Sequence, residues 1–281
     1  MTRPARFNVL GIGVHALQLA SARALIIDAA MRQRKTAPST AATFDASSAP
    51  YVCFCDVNSI SCGQRDPAHA AALNRAHLAT PDGMPLVWLG RRAGFPEIGR
   101  VYGPDLLLEI CAATANPSLA SGGRGTHFFY GGGAGTAELL ANNLQTRFPG
   151  LRIAGVRTPP FRELDATETD ALVAAMHALR PDFFWVGLST PKQEKFMATF
   201  APRFGDDVGV LLGVGAAFDF LSGRVRQAPR WLRGLGLEWL FRLCAEPRRL
   251  APRYFRNNPL FVARVLAQAS GLKKYPEPET R

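Results

Sequence analysis

The chain has 281 residues, enough for one large α/β domain or a domain with an appendage. Hydrophobic residues make up 47% and charged residues 20%, ordinary figures for a folded protein that speak against long-range disorder. The charge is less ordinary: 33 Lys and Arg against 22 Asp and Glu leave a formal +11, which points to nucleic acid, anionic lipid or a phosphorylated substrate.

In chain order, residues 7–12 (FNVLGI) read as a strand and 15 to about 34 as a helix. Arg3 and Arg6 ahead of this run resemble a signal peptide, but His15, Gln18, Arg23 and Asp28 interrupt the apolar stretch such a segment needs. No run of about 20 uninterrupted apolar residues follows, so membrane contact is expected to be peripheral. Residues 34–50, rich in Ala, Ser, Thr and Pro, read as a flexible loop. A strand is expected at 51–57 and a helix near 67–79. From Pro104 the alternation becomes regular: helix 105–115, strand 126–130, helix 136–147, strand 151–156, helix 167–179, strand 182–187, helix 191–200 and strand 208–213. This spacing predicts an α/β, Rossmann-like, mainly parallel sheet with helices on both faces. Ligands in such sheets bind beyond the carboxyl ends of strands, which selects the loops after 57, 130, 187 and 213.

From Arg224 the pattern changes. Nine arginines up to Arg256 are offset by only Glu238 and Glu246, and Leu232, Leu235, Trp239 and Leu243 recur among them at helical spacing. The expected organisation is an α/β catalytic domain over 1–223 and a basic, amphipathic, membrane-associating appendage over 224–281. Trp231, Trp239, Phe241, Tyr254, Phe255 and Phe261 give the appendage the aromatic and basic mixture of an interfacial helix.

Gly131-Gly132-Gly133-Ala134-Gly135 joins a strand to a helix, where small residues let backbone N–H groups approach a phosphate. A dinucleotide fingerprint would have glycine at position 136, occupied here by Thr136, and an acid near the next strand's end, where Val156 and Arg157 stand. The turn is therefore either a phosphate cradle of another kind or plain connection. Asp82, in Thr80-Pro81-Asp82-Gly83, reads first as an Asx-type turn residue and second as a catalytic carboxylate. Lys192, Gln193 and Glu194 open a helix after Pro191, a capping position that also suits an anion. Asp219 reads as a turn residue or helix cap. There is no Asp-x-Asp pair. Cys53, Cys55 and Cys62 lack the Cys-x₂-Cys spacing of a zinc site, and with Cys111 and Cys244 they read as reduced thiols of a cytoplasmic protein.

Taken in order, several stretches resemble the WecG/TagA/CpsF family of bacterial glycosyltransferases. They are Asp82-Gly83-x-Pro85, Arg100-Val101-x-Gly103-x-Asp105, the strand and turn at 128–135, and Gly187-x₃-Pro191-Lys192-Gln193-Glu194. Gly213-Val214-Gly215-x₂-Phe218-Asp219, Gln227-Ala228-Pro229 and the string from Gly236 to Leu250 complete the set. The resemblance implies inverting, metal-independent transfer of a sugar, without a cofactor, from a UDP-sugar to a polyprenyl-diphosphate-linked saccharide in cell-envelope or exopolysaccharide synthesis. It implies Asp82 as general base, Asn58 and Gln193 at the reaction centre, and Asp219 on the nucleotide. Gly131, Gly132 and Gly133 would serve the donor, and Arg242, Arg249 and Arg253 its diphosphate. It further implies work at the inner face of the cell membrane, against an anionic surface; assembly with further copies of the chain is left open.

Two positions depart from the family pattern. Asp56 stands where relatives often carry Thr, and a carboxylate there would alter sugar recognition or act as a second base. Thr158-Pro159-Pro160-Phe161 replaces a Gly-Tyr-Phe-like loop. The alternative from charge alone, a non-enzymatic binder of nucleic acid or anionic lipid, lacks any helix-turn-helix, zinc-finger or RNA-recognition signature; nucleic acid is not expected as a partner.

Overall fold

The computed structural model describes residues 4–33, 48–116 and 125–278, and of Arg249 the backbone alone. Most of the loop expected at 34–50 lies outside the described residues.

The chain opens with an antiparallel hairpin, β1 (Arg6–Val9) and β2 (Ile12–His15), where a single strand over 7–12 is expected. Leu10 and Gly11 form its turn with φ of 54° and 84°, both left-handed as a two-residue hairpin turn demands. The Gly11 amide donates to the Asn8 side chain at 2.7 Å, a local bond that reverses the chain and that hydrophobic patterning does not register. The first helix, α1 (Leu19–Gln33), consequently starts four residues later than expected.

The main sheet has the strands β3 (Tyr51–Cys55), β4 (Leu78–Pro81), β5 (Thr126–Gly131), β6 (Arg152–Arg157), β7 (Phe183–Gly187) and β8 (Val210–Gly213). Their order is β4-β3-β8-β7-β5-β6, with parallel pairing of β3 to β8, β8 to β7, β7 to β5 and β5 to β6. Every residue of β3, β4 and β8 is buried, the pattern of a sheet covered on both faces. The α/β architecture is the one the alternation predicts. β4 takes the last two residues of the tract read as helix, Leu78 and Ala79, and the first two of the turn expected after it: α3 (Pro67–Arg75) ends early, and the short run that follows joins the sheet. Four buried residues leave too short a run for periodicity to distinguish strand from helix.

The contacts divide the chain into two compact units: residues 1–19, 54–102 and 226–281, and residues 20–53 and 103–225. The second unit holds α1, α5 (Gly103–Ala115), α6 (Thr136–Arg147), α7 (Ala166–Leu179), α8 (Lys192–Phe204), α9 (Ala217–Leu221) and the strands from β5 onward. Its core is aromatic, with Phe129, Phe183, Phe184 and Trp185 fully enclosed. Within it His127 accepts from the Trp185 indole at 3.0 Å and meets the Thr114 hydroxyl at 2.9 Å. Burial drives its imidazole down to about 3, so it is neutral and structural.

The first unit combines the hairpin with α2 (Val57–Gly63), α3, α4 (Met84–Arg92), α10 (Arg230–Gly234), α11 (Glu238–Ala245) and α12 (Pro247–Ala269). Pro247 starts α12 instead of interrupting a helix, and Pro252 sits inside it without breaking it. Buried Leu250, Asn257 and Phe261 supply the packing that offsets a lost backbone bond. The helix end is fastened to the hairpin, where Gln268 accepts from the Leu10 amide at 3.0 Å and donates to the Asn8 carbonyl at 3.2 Å.

Candidate active site

Asp82 sits at the carboxyl end of β4, its backbone pinned to β3 by hydrogen bonds from the Asp82 and Gly83 amides to the Cys55 carbonyl, 2.9 and 3.2 Å. Gly83 and Pro85 then begin α4, so the carboxylate projects from a fixed strand-to-helix corner. Its side chain keeps 23% exposure, enough to reach a substrate. Arg100 grips it twice, through Nε to the backbone carbonyl and through Nη2 at 3.4 Å from the carboxylate. The same Nη2 makes a shorter pair, 2.7 Å, with Glu238 on α11. Glu238 also accepts from the Tyr102 hydroxyl at 2.8 Å, and Gln227 donates to that hydroxyl at 2.9 Å. The Tyr102 ring has the Arg100 and Arg233 guanidiniums 4.1 and 5.0 Å from its centroid, so a cationic group lies against the ring on each of two contacts.

The electrostatics favour a base. Burial raises the Asp82 carboxyl, Arg100 opposes, and Glu238 and Asp56 add to the rise, leaving it at about 7. A carboxylate that holds its proton near neutrality is suited to taking one from a hydroxyl at physiological pH. Arg100 is lowered by burial but carried upward on balance by Asp82 and Glu238, so it stays charged. Tyr102 is pushed well above the ordinary phenol range by burial and by Glu238, so it donates and does not ionise.

Asp56 caps α2, accepting from the Ser59 amide at 2.7 Å while the Ser59 hydroxyl meets the Asp56 amide at 2.8 Å. The departure from the family's Thr thus has a local structural use. Asn58, in the first turn of α2, accepts through Oδ1 from Asn257 of α12 at 3.1 Å, and Arg65 donates to Asn257 at 3.0 Å. Arg242 lies in the last turn of α11, and Arg253 in α12 stacks its guanidinium 5.0 Å from the Tyr254 ring. The Arg249 side chain lies outside the described residues.

In the other unit, Gly131 and Gly132 take φ of 131° and 74°, and Gly135 caps α6 at 73°. A Cβ at Gly131 would come within 2.6 Å of the Gly187 backbone, so β5 and β7 meet there with no room for a side chain. Arg224, after α9, donates to the Ala134 carbonyl and holds the turn. Gln193, 5% exposed in the first turn of α8, donates to the Gly213 carbonyl at 2.9 Å and the Glu194 carboxylate at 3.0 Å. It therefore ties α8 to the end of β8. Asp219 lies in α9 directly after β8, and its carbonyl accepts from the Val225 amide at 3.1 Å. Phe161, 98% exposed in the loop that departs from the family pattern, carries Lys192 Nζ at 4.9 Å from its ring.

Nothing in the sequence assigns a role to Arg100, Tyr102, Gln227, Glu238 or Asn257, although Arg100, Gln227 and Glu238 stand in stretches that resemble the family. The signal for Glu238 was available: it is one of two acids in a run of nine arginines. Cys53, Cys55 and Cys111 are buried, Cys62 is half-buried and Cys244 is exposed.

A parallel α/β sheet covered on both faces, with a half-buried carboxylate at the carboxyl end of β4, places the chain in the Rossmann-like α/β class with a candidate site at its strand ends. Residues 7–275 match the family model described as Glycosyl transferase WecG/TagA/CpsF family, and the chain belongs to that family. Similar curated proteins are named N-acetylglucosaminyldiphosphoundecaprenol N-acetyl-beta-D-mannosaminyltransferase. That of Bacillus subtilis (strain 168) is 28% identical over 218 residues, 76% of this chain and 78% of the relative. That of Bacillus spizizenii is 30% identical over 202 residues, 72% and 73%, and that of Staphylococcus aureus (strain MRSA252) 25% over 207 residues, 74% and 76%. The chain is a glycosyltransferase. Among the described residues no helix is long and apolar enough to cross a membrane.

Proposed function

We propose that the chain transfers a sugar of the N-acetylhexosamine class from a UDP-sugar to a polyprenyl-diphosphate-linked saccharide, with inversion at the anomeric carbon. The observation that carries the reading is Asp82, half-buried, fixed by its backbone and raised to about 7. The names of the relatives support the lipid-linked acceptor. Asp82 takes the proton of the acceptor hydroxyl as its oxygen attacks the anomeric carbon. The bond to the donor diphosphate breaks on the opposite face, and UDP leaves with the electron pair. Negative charge grows on the departing diphosphate, and Arg242, Arg249 and Arg253 are assigned to meet it, since guanidinium groups stay charged and bond phosphate in pairs. The glycine turn at 131–133 and Asp219 are assigned to the nucleotide, and Asn58 and Gln193 to the reacting sugars. The 224–281 segment is assigned to the anionic inner face of the cell membrane, where the lipid-linked acceptor resides.

The test is transfer by the purified full-length chain from a panel of UDP-sugars to N-acetylglucosaminyl-diphospho-undecaprenol, scored by product mass. Asp82→Asn is expected to lower the rate by about 10²–10⁴-fold while UDP binding, followed calorimetrically, stays near wild type. Full transfer by that variant would remove Asp82 from the mechanism.

A further inference from the structure

The arrangement around Asp82 contains a competition that the transfer mechanism leaves unexplained. Arg100 has one guanidinium and two carboxylates to serve, and its Nη2 lies 2.7 Å from Glu238 but 3.4 Å from Asp82. A guanidinium and a carboxylate brought together alone close to a bidentate pair, which would occupy the oxygens a base needs. Here the tighter partner is Glu238.

Glu238 is held where it can do this. It begins α11, where the helix dipole favours a negative charge. Its second oxygen receives the Tyr102 hydroxyl at 2.8 Å, and the Gln227 amide in turn fixes that hydroxyl. The preceding Gly236, at φ 74°, lets the chain turn tightly over α4, where an added Cβ would lie 3.0 Å from Met84. Glu238 is 9% exposed, so its charge is not dissipated into water.

We propose that Glu238 is a positioning residue for the transfer: by taking the shorter bond from Arg100 it weakens that residue's hold on the Asp82 carboxylate and leaves the carboxylate free to accept a proton. The inference rests on the reading of Asp82 as general base. The charged and titratable groups around Asp82 are Arg100, Glu238, Asp56 and Tyr102, with Arg233 beyond the Tyr102 ring. Removing Glu238's charge has one direction of effect. Arg100 turns its full strength on Asp82, and a source of negative potential disappears. Both changes stabilise the carboxylate form and make it a weaker base. Glu238 also belongs to the same helix as Trp239 and Leu240, exposed by 41% and 40%.

The experiment is a carbon-13 titration of the Asp82 carboxyl in the full-length chain, assigned by the resonance lost in Asp82→Asn. In Glu238→Gln, which preserves shape and hydrogen-bonding reach, the Asp82 midpoint is expected to fall by about 1 pH unit or more. Glu238→Asp keeps the charge but draws it back by one methylene, and its midpoint is expected to fall by less. Circular dichroism checks that each variant is folded, and either folded variant can decide the matter. A midpoint at the wild-type value in the folded variants overturns the proposal, because a merely structural role would cost stability without moving the titration. The acid limb of the pH–rate profile for transfer should follow the same shift. If Asp82→Asn transfers at the wild-type rate, the base reading fails whatever Glu238 does. If Asp82→Asn is inert and the midpoint in Glu238→Gln is unmoved, only the role of Glu238 fails.

Discussion

A carboxylate raised from 3.8 to about 7 in the folded chain binds its proton more tightly than the unfolded chain does. The resulting contribution to stability is complete below about pH 4 and is lost as pH rises through 7. Asp82→Asn cannot ionise, so it escapes that loss. It is expected to be more stable than wild type at pH 8 by on the order of 2 kcal/mol, a figure reduced for the carboxylate's partial exposure, and to converge with wild type near pH 4. Melting temperatures across that range check it, and parallel curves would show that Asp82 has an ordinary pKa. Asp82 was legible in sequence only through its place in a family pattern, because a turn Asp before Gly is usually structural. Its partners were not legible. Arg100 lies 18 residues from Asp82 and Glu238 lies 138 residues from Arg100, and only the fold brings such positions into hydrogen-bonding range. Asp56 shows the reverse: its capping box with Ser59 spans three residues and is a local motif, but the apolar run that ends in Val57 masks the helix start as a continuation of the strand.

Elements with long, regular signals were read nearly to the residue, as with α6 at 136–147 and α5 at 103–115. Length alone does not decide legibility: β8 has four residues and is announced by the apolar run at 208–213, whereas β1, β2 and β4, also of four residues each, depend on turn chemistry or pairing. The glycine turn after β5 separates two roles that sequence could not. Gly131 has a structural demand, a φ of 131° and a Cβ position 2.6 Å from the Gly187 backbone. Gly133 has neither: its added Cβ would meet only the ends of Arg224 and Thr136, both at 3.7 Å. Gly131→Ala is accordingly expected to cost about 2–3 kcal/mol and to lower the melting temperature by several degrees. Gly133→Ala should melt within a degree or two of wild type. If the turn receives the donor, Gly133→Ala should nonetheless weaken UDP binding, because its methyl group stands where a phosphate would approach the backbone. Unchanged UDP affinity in that variant would leave the turn a plain connection.

At the scale of the whole molecule the charge of +11 gave the first functional hint, and its concentration near the C-terminus turned that hint toward a surface. What sequence could not resolve is how the segment from 226 onward packs, because its apolar residues serve two purposes. Ala228, Leu250 and Phe261 are buried within their own unit, joining the hairpin, α2 and α4 in one compact body. Trp231, Leu235, Phe255, Val262 and Leu266 are exposed, by 67%, 60%, 74%, 55% and 63%. Large apolar side chains at such exposure, interleaved with Arg230, Arg248 and Arg256, suit the boundary between headgroups and acyl chains better than water. If they serve that boundary, the full-length chain should bind vesicles containing phosphatidylglycerol and ignore those of phosphatidylcholine alone. Binding should weaken steeply as salt rises, because each arginine near an anionic surface contributes about 1 kcal/mol that screening removes. Trp231→Ser with Phe255→Ser should reduce binding at fixed salt by about tenfold or more, since each ring loses roughly 1–2 kcal/mol of apolar transfer. The pair should leave the melting temperature unchanged, because neither side chain is buried. A double variant that binds anionic vesicles like wild type would place the membrane contact on another face, whereas lost binding with an intact fold would assign it to this one.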